Sequence, residues 1–457
     1  MPKFKIIFLF ILSSILYISS VTHLHAQNSD RPVLIISGSE TNDFLNEIGK
    51  PLLIAAGIEP ISVKFHIMRD PSLNAMALPS KDIIFNSGII LRAQSVDEVA
   101  GVMAHEIAHL SAGHHSKLKS ELKNVSLQTM LLGVAGLTAG MISGNSKVGQ
   151  ASMISSAASG QSIMLANQRQ KESQADRLAI RYLAKAGYEP HGLTTFMERI
   201  QQEQKSTSMP PQYLLSHPLS STRVVEIEEL ANEIRPEKLR PKPKKRTLNR
   251  IKAKLLAATT TVPSIAIDKF SNRLNKNPDN FSNRYGLAVA QRYAGKLPES
   301  QRQLDSLIIE NPEDPYLLRE RGRTYIDWGK PAKAQRDFQT ALKFHPKSQD
   351  LQYWLAFAFK EQKKYKKASR ILHRLTNKYP KKASYFYLLG ISEGKSGHLA
   401  KGHLALGRYY ALIRDIKNSI WHFDEAIRLY PQNSAGENNA KAAKRRLIGD
   451  IKKIKAR

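Results

Sequence analysis

The stretch AHEIAHLSAGHH, from Ala104 to His115, decides the fold of the first half of this chain. It places four histidines and one glutamate within twelve residues. Ser95 precedes it and is followed three residues later by Glu98, the capping-box signature of a helix start. Apolar residues at helical spacing follow, so the stretch is predicted to lie on a helix.

On such a helix His105 and His109 are one turn apart on the same face, where both imidazoles can bind one metal ion. Glu106 lies beside them, angled to reach the water that attacks a substrate. The five-residue pattern alone is only moderately specific, and a histidine-rich helix face without chemistry is the alternative. His114 is nearly on another face and is expected to pack or support rather than to bind the metal.

Two histidines do not complete a catalytic zinc site, which has three protein ligands and one open position. The chain has no cysteine, so the third ligand must be His, Asp or Glu. Glu172 and Asp176 are four residues apart on an amphipathic helix that is predicted to end at Gly187. Glu172 can bind the metal directly, and Asp176 can hold a ligating histidine by its free N–H group. The alternative is a solvated acidic face that pairs with Lys171 and Arg177.

Residues 1–26 have the pattern of a cleavable export signal, in which Lys3 and Lys5 precede an apolar run from Ile6 to about Ser19. The run is short for a bilayer span of about 20 apolar residues, which disfavours a retained anchor. We therefore expect a periplasmic protein after cleavage. The absence of cysteine excludes disulfides, thiol nucleophiles, thiolate metal sites and a lipoprotein anchor.

The net charge of +30 would suit a nucleic-acid partner, but an exported chain does not meet nucleic acid. The polyanions outside the cytoplasm are lipid and lipopolysaccharide head groups and acidic protein surfaces. The charge therefore favours a location peripheral to the outer membrane. A lysine-rich composition that merely solvates every surface is the alternative.

Composition also divides the chain into domains. Residues 27–234 mix short strand-like runs with longer helical stretches, which predicts an α+β, mostly helical domain. Residues 235–260 contain Pro236, Pro241 and Pro243 among dense positive charge, which predicts a stiff, exposed linker.

Residues 261–435 repeat with a period of 34 residues, the period of tetratricopeptide helix pairs. The repeat is marked by Pro278, Pro312, Pro346 and Pro380. The phase then slips by 17 residues, which predicts four repeats plus unpaired helices at about Pro263 to Asn275 and Ala383 to Ser396. We expect an all-α solenoid that binds protein, followed by a basic capping tail over residues 436–457.

The metal motif consists of His105, Glu106, His109, Glu172 and Asp176. Together with the later segment SHPLSSTRVVEI, and in an exported chain that ends in tetratricopeptide repeats, it resembles the gluzincin metallopeptidase family. It is most similar to the bacterial members that act on outer-membrane barrel proteins. Other members of the family are membrane-embedded heat-shock and prenyl-protein proteases. The resemblance covers essentially the whole chain after the signal.

The resemblance implies one Zn²⁺ per chain, held by His105, His109 and Glu172. It implies that Glu106 is the catalytic base and that Asp176 supports the ligands. It further implies that the substrates are unfolded or misassembled proteins and that the repeats contact the barrel-assembly machinery.

Three further features come with this resemblance. His217 matches a histidine that can take the fourth zinc position and keep the enzyme latent; the alternative is a surface histidine before a proline turn. The segment Ile83, Ile84, Phe85 and Asn86 is expected to form an edge strand that pairs with an extended substrate. Residues 124–168 carry only one charged residue, Lys147, and form either helices that touch the membrane surface or a buried helical hairpin.

The sequence therefore predicts a zinc metalloendopeptidase of the cell envelope that degrades misassembled outer-membrane barrel proteins and aids their assembly. The alternative is a non-catalytic tetratricopeptide scaffold or chaperone with a vestigial or plugged metal site. A cell-envelope polyanion binder, driven by the positive charge, is a third hypothesis.

Overall fold

The computed structural model describes residues 35–36, 38–114, 146–206, 213–214, 217–218, 220–241 and 245–455. The predicted export signal lies outside these residues, as does the first part of the segment 124–168, up to residue 145; the rest of that segment is helical from Ser146. None of the described helices is long and apolar enough to cross a membrane.

The first part of the chain contains four short strands and six helices among the described residues, as the mostly helical α+β prediction requires. The strands are β1 Ile35–Ile36, β2 Lys64–Met68, β3 Ala75–Ala77 and β4 Asp82–Asn86. The helices are α1 Ser39–Ala55, α2 Ser87–Arg92, α3 Val96–Ser111, α4 Ser146–Ala186, α5 His191–Ser206 and α6 Ser221–Glu233, with a single 3₁₀ turn at Pro60–Ser62.

The four strands form one sheet in the order β1-β2-β4-β3, in which β2 and β4 are parallel and the other two pairs are antiparallel. The prediction that Ile83–Asn86 is an edge strand is therefore wrong. Those residues belong to β4, whose backbone groups are used on both sides, by β2 and by β3. The edge on that side of the sheet is β3, from Ala75 to Ala77.

Helix α3 runs through the centre of the first domain, which we call the catalytic domain after its predicted activity. Its N-cap Ser95 accepts a hydrogen bond from the backbone N–H of Glu98, which satisfies a free donor of the first turn. Every residue from Glu98 to His109 is buried. Helix α5 crosses it closely at Gly101, where an added Cβ would lie 2.7 Å from the backbone nitrogen of Leu193. The helix that carries HEIAH is thus held by packing on several sides.

The second part of the chain is all helical among the described residues. Its helices are α7 Lys245–Thr259, α8 Pro263–Lys276, α9 Phe281–Tyr293, α10 Leu297–Glu310, α11 Pro315–Asp327, α12 Pro331–Phe344, α13 Gln349–Glu361, α14 Tyr365–Lys378, α15 Ala383–Lys395, α16 Leu399–Leu412, α17 Ile416–Leu429 and α18 Ala435–Lys455. The extra helix at the phase slip is α15, and the basic tail forms α18, which packs on α17.

The repeats pack through glycines on the first helix of a pair that face a phenylalanine on the second. A Cβ added to Gly322 would lie 2.5 Å from the ring of Phe338, and one added to Gly407 would lie 2.5 Å from the ring of Phe423. In both pairs the glycine and the phenylalanine are 16 residues apart. The repeated spacing of glycine and phenylalanine in the sequence therefore marks the close contact between the two helices of each pair.

The prediction of an exposed linker over residues 235–260 is wrong in its second half. Helix α7 begins at Lys245, and its apolar residues divide between two cores. Leu248, Ile251 and Leu255 are buried in the core of the catalytic domain. Ala253 and Ala257 are buried with the first repeat helices instead. Helix α7 therefore joins the two domains, because an amphipathic helix with two apolar stripes can be buried from both sides.

A network of buried charges also connects the two domains. Glu40 of α1 lies 2.9 Å from the Nζ of Lys254 and 2.5 Å from the Nε of Arg250, and accepts a hydrogen bond from the hydroxyl of Tyr285 at 2.7 Å. We call the charged residues of this network the interdomain ion cluster: Glu40, Arg250, Lys254, Asp314, Arg319, Glu320 and Asp350.

The buried carboxylates of the interdomain ion cluster are neutralised by ion pairs with nearby cations. Burial alone would raise the pKa of Glu40, but the positive charges of Lys254 and Arg250 outweigh it and lower that pKa. Burial would likewise raise the pKa of Glu320, but the positive charges of Lys254 and Arg319 hold it well below its usual range. Both carboxylates are thus kept charged in the interior.

Candidate metal centre

The centre is built on α3, which presents His105 and His109 on one face. Their Nε2 atoms lie 3.0 Å apart, and both side chains are buried. This is the geometry that the one-turn spacing in the sequence predicts. Two imidazole nitrogens that converge so closely need either a shared proton or a common ion between them.

Helix α4 brings the acidic residues to the same place. The carboxylate of Glu172 lies 3.4 Å from the Nε2 of His105 and 3.5 Å from the Nε2 of His109. One turn further along, Asp176 Oδ1 lies 2.9 Å from the Nδ1 of His105. The structure therefore brings together the histidines of α3 and the carboxylates of α4. More than 60 positions separate these two groups in the sequence.

A fourth candidate ligand is His217, which follows α5. Its Nδ1 atom lies 2.9 Å from Glu172 Oε2 and 3.3 Å from the Nε2 of His105. The side chain is only 7% exposed and stacks on the ring of Tyr213 at 4.6 Å between centroids. The backbone N–H of Tyr213 donates to the carbonyl of Leu73, which ties this segment to the sheet. His217 is thus a buried residue of the centre rather than a surface histidine.

The four ligand atoms of His105, His109, Glu172 and His217 all lie within 4.8 Å of one another. Tetrahedral zinc with bonds of about 2.0–2.1 Å requires ligand atoms about 3.3–3.4 Å apart. The separations described above run from 2.9 to 3.5 Å. Three nitrogens and one carboxylate at this spacing fit a tetrahedral metal ion.

The electrostatics of the group point the same way. Burial opposes charge on His105, but hydrogen bonds to Asp176 and Glu172 outweigh burial and raise the pKa of His105 to about 10. Burial and the nearby His105 lower the pKa of His109 to about 4. Burial would raise the pKa of Glu172, but contacts with the histidines hold it far below its usual range. The negative charges of the carboxylates thus favour a cation at the point where the ligand atoms converge.

Arg223 is a site residue to which sequence reasoning gave no role. It lies on α6, and its guanidinium donates to Asp176 from Nε at 2.7 Å and from Nη2 at 3.0 Å. Its Nη2 also lies 3.4 Å from Glu172 Oε2. Burial would raise the pKa of Asp176, but His105 and Arg223 lower it. Arg223 therefore keeps Asp176 ionised and orients it toward His105, an outer role that metal sites commonly use.

The only sequence signal for Arg223 is local. Ser220 caps the start of α6 and accepts a hydrogen bond from the backbone N–H of Arg223, which fixes the arginine in the first turn. Arg223 Nη1 also donates to the carbonyl of Pro218 at 2.5 Å. This local pattern does not predict that Arg223 pairs with Asp176, which is distant in the sequence.

Glu106 lies on the side of the centre that faces the sheet. Its Oε2 accepts a hydrogen bond from the backbone N–H of Ala77 at 2.9 Å, and its Oε1 lies 3.5 Å from the Nε2 of His217. The edge strand β3 is thus the strand nearest to this carboxylate. His114, expected to support rather than ligate, has its Nδ1 2.9 Å from the Nδ1 of His109 and its Nε2 3.1 Å from Gln174.

Comparison with known proteins agrees with this description. Residues 39–231 match the model of Peptidase family M48, and residues 325–390 match a tetratricopeptide repeat model. The chain is 28% identical to the putative beta-barrel assembly-enhancing protease of Vibrio cholerae over 88% of this chain and 83% of that one. It is 23% identical to the beta-barrel assembly-enhancing protease of Escherichia coli over 84% of this chain and 78% of that one.

A third similarity covers a shorter part of the chain. The mitochondrial metalloendopeptidase OMA1 of Schizosaccharomyces pombe is 25% identical over 41% of this chain and 52% of that one. The family match and these relatives support a metalloendopeptidase over a non-catalytic repeat scaffold.

Proposed function

We propose that this chain, in which a peptidase family M48 domain precedes tetratricopeptide repeats, is a zinc-dependent endopeptidase of the cell envelope. The observation that carries the proposal is the buried convergence of His105, His109, Glu172 and His217, with Glu106 beside it. Such a set of nitrogen and carboxylate ligands without cysteine is typical of catalytic zinc.

His105, His109 and Glu172 would hold one Zn²⁺ per chain. When bound, the ion would polarise the carbonyl of the scissile peptide as a Lewis acid. Asp176 Oδ1 lies 2.9 Å from the Nδ1 of His105, so a proton on that nitrogen would face the carboxylate and the Nε2 lone pair would point into the centre. Arg223 holds the carboxylate of Asp176 in place.

Glu106 acts as the general base in this proposal. It takes one proton from the attacking water while the water oxygen bonds to the scissile carbonyl carbon, and it then delivers that proton to the amine nitrogen as the C–N bond breaks. The N–H of Ala77, which now donates to Glu106, belongs to edge strand β3. An extended substrate would pair with β3 and lie across Glu106.

His217 would make the enzyme latent. It lies where a fourth protein ligand would close the coordination sphere, and its Nε2 is near Glu106. Movement of the segment that carries His217 away from the stack with Tyr213 would open the centre to substrate and free Glu106.

The substrates would be unfolded or misassembled proteins, and specifically outer-membrane barrel proteins. This step rests on the names of the relatives from Vibrio cholerae and Escherichia coli, a putative and a named beta-barrel assembly-enhancing protease. The repeats would hold the client or the barrel-assembly machinery. The corresponding location is the periplasm, peripheral to the outer membrane, after removal of residues 1–26.

The first experiment is elemental analysis of the purified chain. We expect about one zinc per chain, lost in His105→Ala and Glu172→Ala and kept in His191→Ala, whose half-exposed imidazole contacts Asn232 outside the centre. Absence of zinc in the parent chain after reconstitution would contradict the proposal.

The second experiment tests latency and catalysis on the zinc-loaded chain. His217→Ala should raise cleavage of an unfolded protein substrate at least about tenfold, because it opens the fourth position. Glu106→Gln in the same background should abolish that cleavage while zinc stays bound. A zinc-loaded His217→Ala chain without cleavage would favour the scaffold alternative, in which deletion of the repeats and not Glu106→Gln removes function in cells.

A further inference from the structure

The five histidines of the repeats differ in the groups that they face. Three of them lie 2.8 to 3.9 Å from a carboxylate oxygen: His345, His373 and His398. The other two, His403 and His422, form no ion pair among the residues that the structure describes. Instead, the Nδ1 atom of one lies 3.0 Å from the Nδ1 atom of the other. We call these two residues the histidine pair.

Close packing of α16 against α17 fixes the histidine pair. A Cβ added to Gly407 of α16 would lie 2.5 Å from the ring of Phe423 on α17, and the hydroxyl of Ser419 donates to the carbonyl of Gly407 at 2.8 Å. His403 lies one turn before Gly407, and His422 directly precedes Phe423. The two imidazoles therefore meet beside a contact that leaves the helices little freedom to separate.

Aromatic rings hold both imidazoles in place. The ring of Tyr410 stacks on that of His422 at 5.1 Å between centroids, with 13° between the ring planes. The ring of Trp421 lies 5.5 Å from that of His403 and 4.6 Å from that of His422. Both histidines are half-buried, and Trp421 is 55% exposed. The histidine pair is thus oriented in advance and borders solvent.

Two imidazole nitrogens at this distance can share either of two partners. One is a proton, which one Nδ1 carries and the other accepts. The other is a metal ion. Two metal–nitrogen bonds of about 2.0–2.1 Å at a right angle place the nitrogens about 2.8–3.0 Å apart. The observed 3.0 Å therefore suits two neighbouring corners of a square-planar or octahedral ion.

The ligand set favours Cu²⁺ among the ions of this kind. Imidazole nitrogen suits copper, nickel and zinc, whereas Ca²⁺ and Mg²⁺ require oxygen ligands. Square-planar coordination by nitrogen and oxygen is typical of Cu²⁺ and Ni²⁺, and copper generally binds a given site more tightly than nickel or zinc. Among the described residues, no third histidine or carboxylate lies within 4.8 Å of both nitrogens, so water would complete the coordination.

Glu425 adds negative charge beside the histidine pair. It lies on α17 three residues after His422, on the same helix face, and its charge acts on both imidazoles. Its carboxylate is paired with Arg428 at 2.6 Å. Glu425 therefore favours a cation at the pair through its charge, and not as a ligand.

We propose that the histidine pair binds one Cu²⁺ ion, at a site separate from the metal centre of the catalytic domain. His403 and His422 would each donate an Nδ1 lone pair to the ion. The proton on one Nδ1 would move to the Nε2 of the same ring, so that both imidazoles stay neutral. The ion would then link α16 to α17. None of the candidate zinc ligands takes part, so this proposal does not depend on the proposed peptidase activity.

The test is a titration of the purified, zinc-loaded full chain with Cu²⁺ in a glycine buffer, which keeps free copper in solution. Bound Cu²⁺ quenches the fluorescence of a neighbouring tryptophan, so Trp421 reports occupancy of the histidine pair. We expect quenching that saturates at one copper per chain. Trp421→Phe should lose most of the quenching and keep the copper signal in electron paramagnetic resonance.

His403→Gln and His422→Gln should each weaken Cu²⁺ binding at least about tenfold, because one of the two protein ligands is lost. His373→Gln is the matched control and should change nothing, because that half-exposed histidine of α14 contacts Glu393 instead. The resonance spectrum should show two bound imidazole nitrogens in the parent chain and one in each pair variant. Absence of copper binding in the parent, or equal binding in the pair variants, would overturn the proposal and leave a hydrogen bond between two histidines.

Two further measurements separate the histidine pair from the catalytic domain and test the link between the helices. The copper titration of His105→Ala should match that of the parent chain. Binding that is lost in His105→Ala and kept in His422→Gln would place the copper at the catalytic metal centre and contradict the proposal. By circular dichroism, copper should raise the urea midpoint of the parent and not that of His422→Gln, because the ion binds the folded repeats. An equal rise in both chains would also contradict it.

Discussion

Replacement of Glu40 by Gln should weaken the attachment of the repeats to the catalytic domain. The side chain is 2% exposed and contacts three partners, Lys254, Arg250 and Tyr285. Glutamine preserves the shape and one acceptor but removes the negative charge. The change therefore tests the charge of the interdomain ion cluster rather than its packing.

The size of the free-energy change depends on which acidic partners Lys254 and Arg250 keep after the substitution. Removal of one partner of an isolated buried ion pair costs about 3–5 kcal/mol. Here Lys254 keeps Glu320 at 2.8 Å, and Arg250 keeps Asp314 at 2.5 Å. Neither cation is left alone, so we expect about 2–3 kcal/mol, near the value of a hydrogen bond to a charged group. That corresponds to a change of about 30- to 150-fold in the docking equilibrium.

Tryptophan fluorescence provides a selective assay, because all three tryptophans, Trp328, Trp354 and Trp421, lie in the repeats. Circular dichroism reports helix in both domains. In urea, Glu40→Gln should move the tryptophan transition to lower concentration and separate it from the circular dichroism transition. The exposed Glu59 provides the matched control, Glu59→Gln. Equal midpoints for Glu40→Gln and the parent chain would refute the reasoning.

Three further predictions concern the metal centre, the interdomain ion cluster and the packing of the repeats. Asp176→Asn should weaken zinc binding about 10- to 100-fold in a chelator competition, because the support of a ligating histidine is lost; unchanged affinity would contradict this. Glu40 and Glu320 of the interdomain ion cluster have lowered pKa values, so their stabilisation is present above the unfolded value of 4.5 and is lost as the pH falls from there through the folded pKa values. The urea midpoint of the repeats should stay nearly constant between pH 7 and about pH 5 and drop as the pH is lowered further, and less so in Glu40→Gln. Gly322→Ala should destabilise the repeats by about 1–3 kcal/mol, because its Cβ would lie 2.5 Å from Phe338, whereas Gly394→Ala meets nothing within 4 Å and should not.

Local periodicity predicted the elements that carry function. The spacing of His105 and His109 on a capped helix, and of Glu172 and Asp176 on a second helix, placed these pairs correctly on the faces of α3 and α4. The period of 34 residues predicted the helices of the repeats and the extra helix α15. Each of these features depends on residues within a few turns of one another, which spacing along the chain records directly.

The errors arose where partners are distant in sequence. The segment Ile83–Asn86 has an apolar pattern that suits an edge or a central strand, and only its pairing with β3 makes it central. The dense positive charge around Lys245 suggested a solvated linker, but α7 is buried between two cores. Dense charge predicts exposure, but Arg250 and Lys254 pair with buried carboxylates on other helices.

The sequence by itself therefore determined the helix faces, the candidate metal ligands on α3 and α4 and the repeat period. Only the tertiary structure decided that Arg223 holds Asp176 and that His217 enters the centre. The physical reason is that a side chain's charge and hydrogen-bonding groups are local properties, whereas the partner that satisfies them is chosen by packing between segments that lie far apart along the chain.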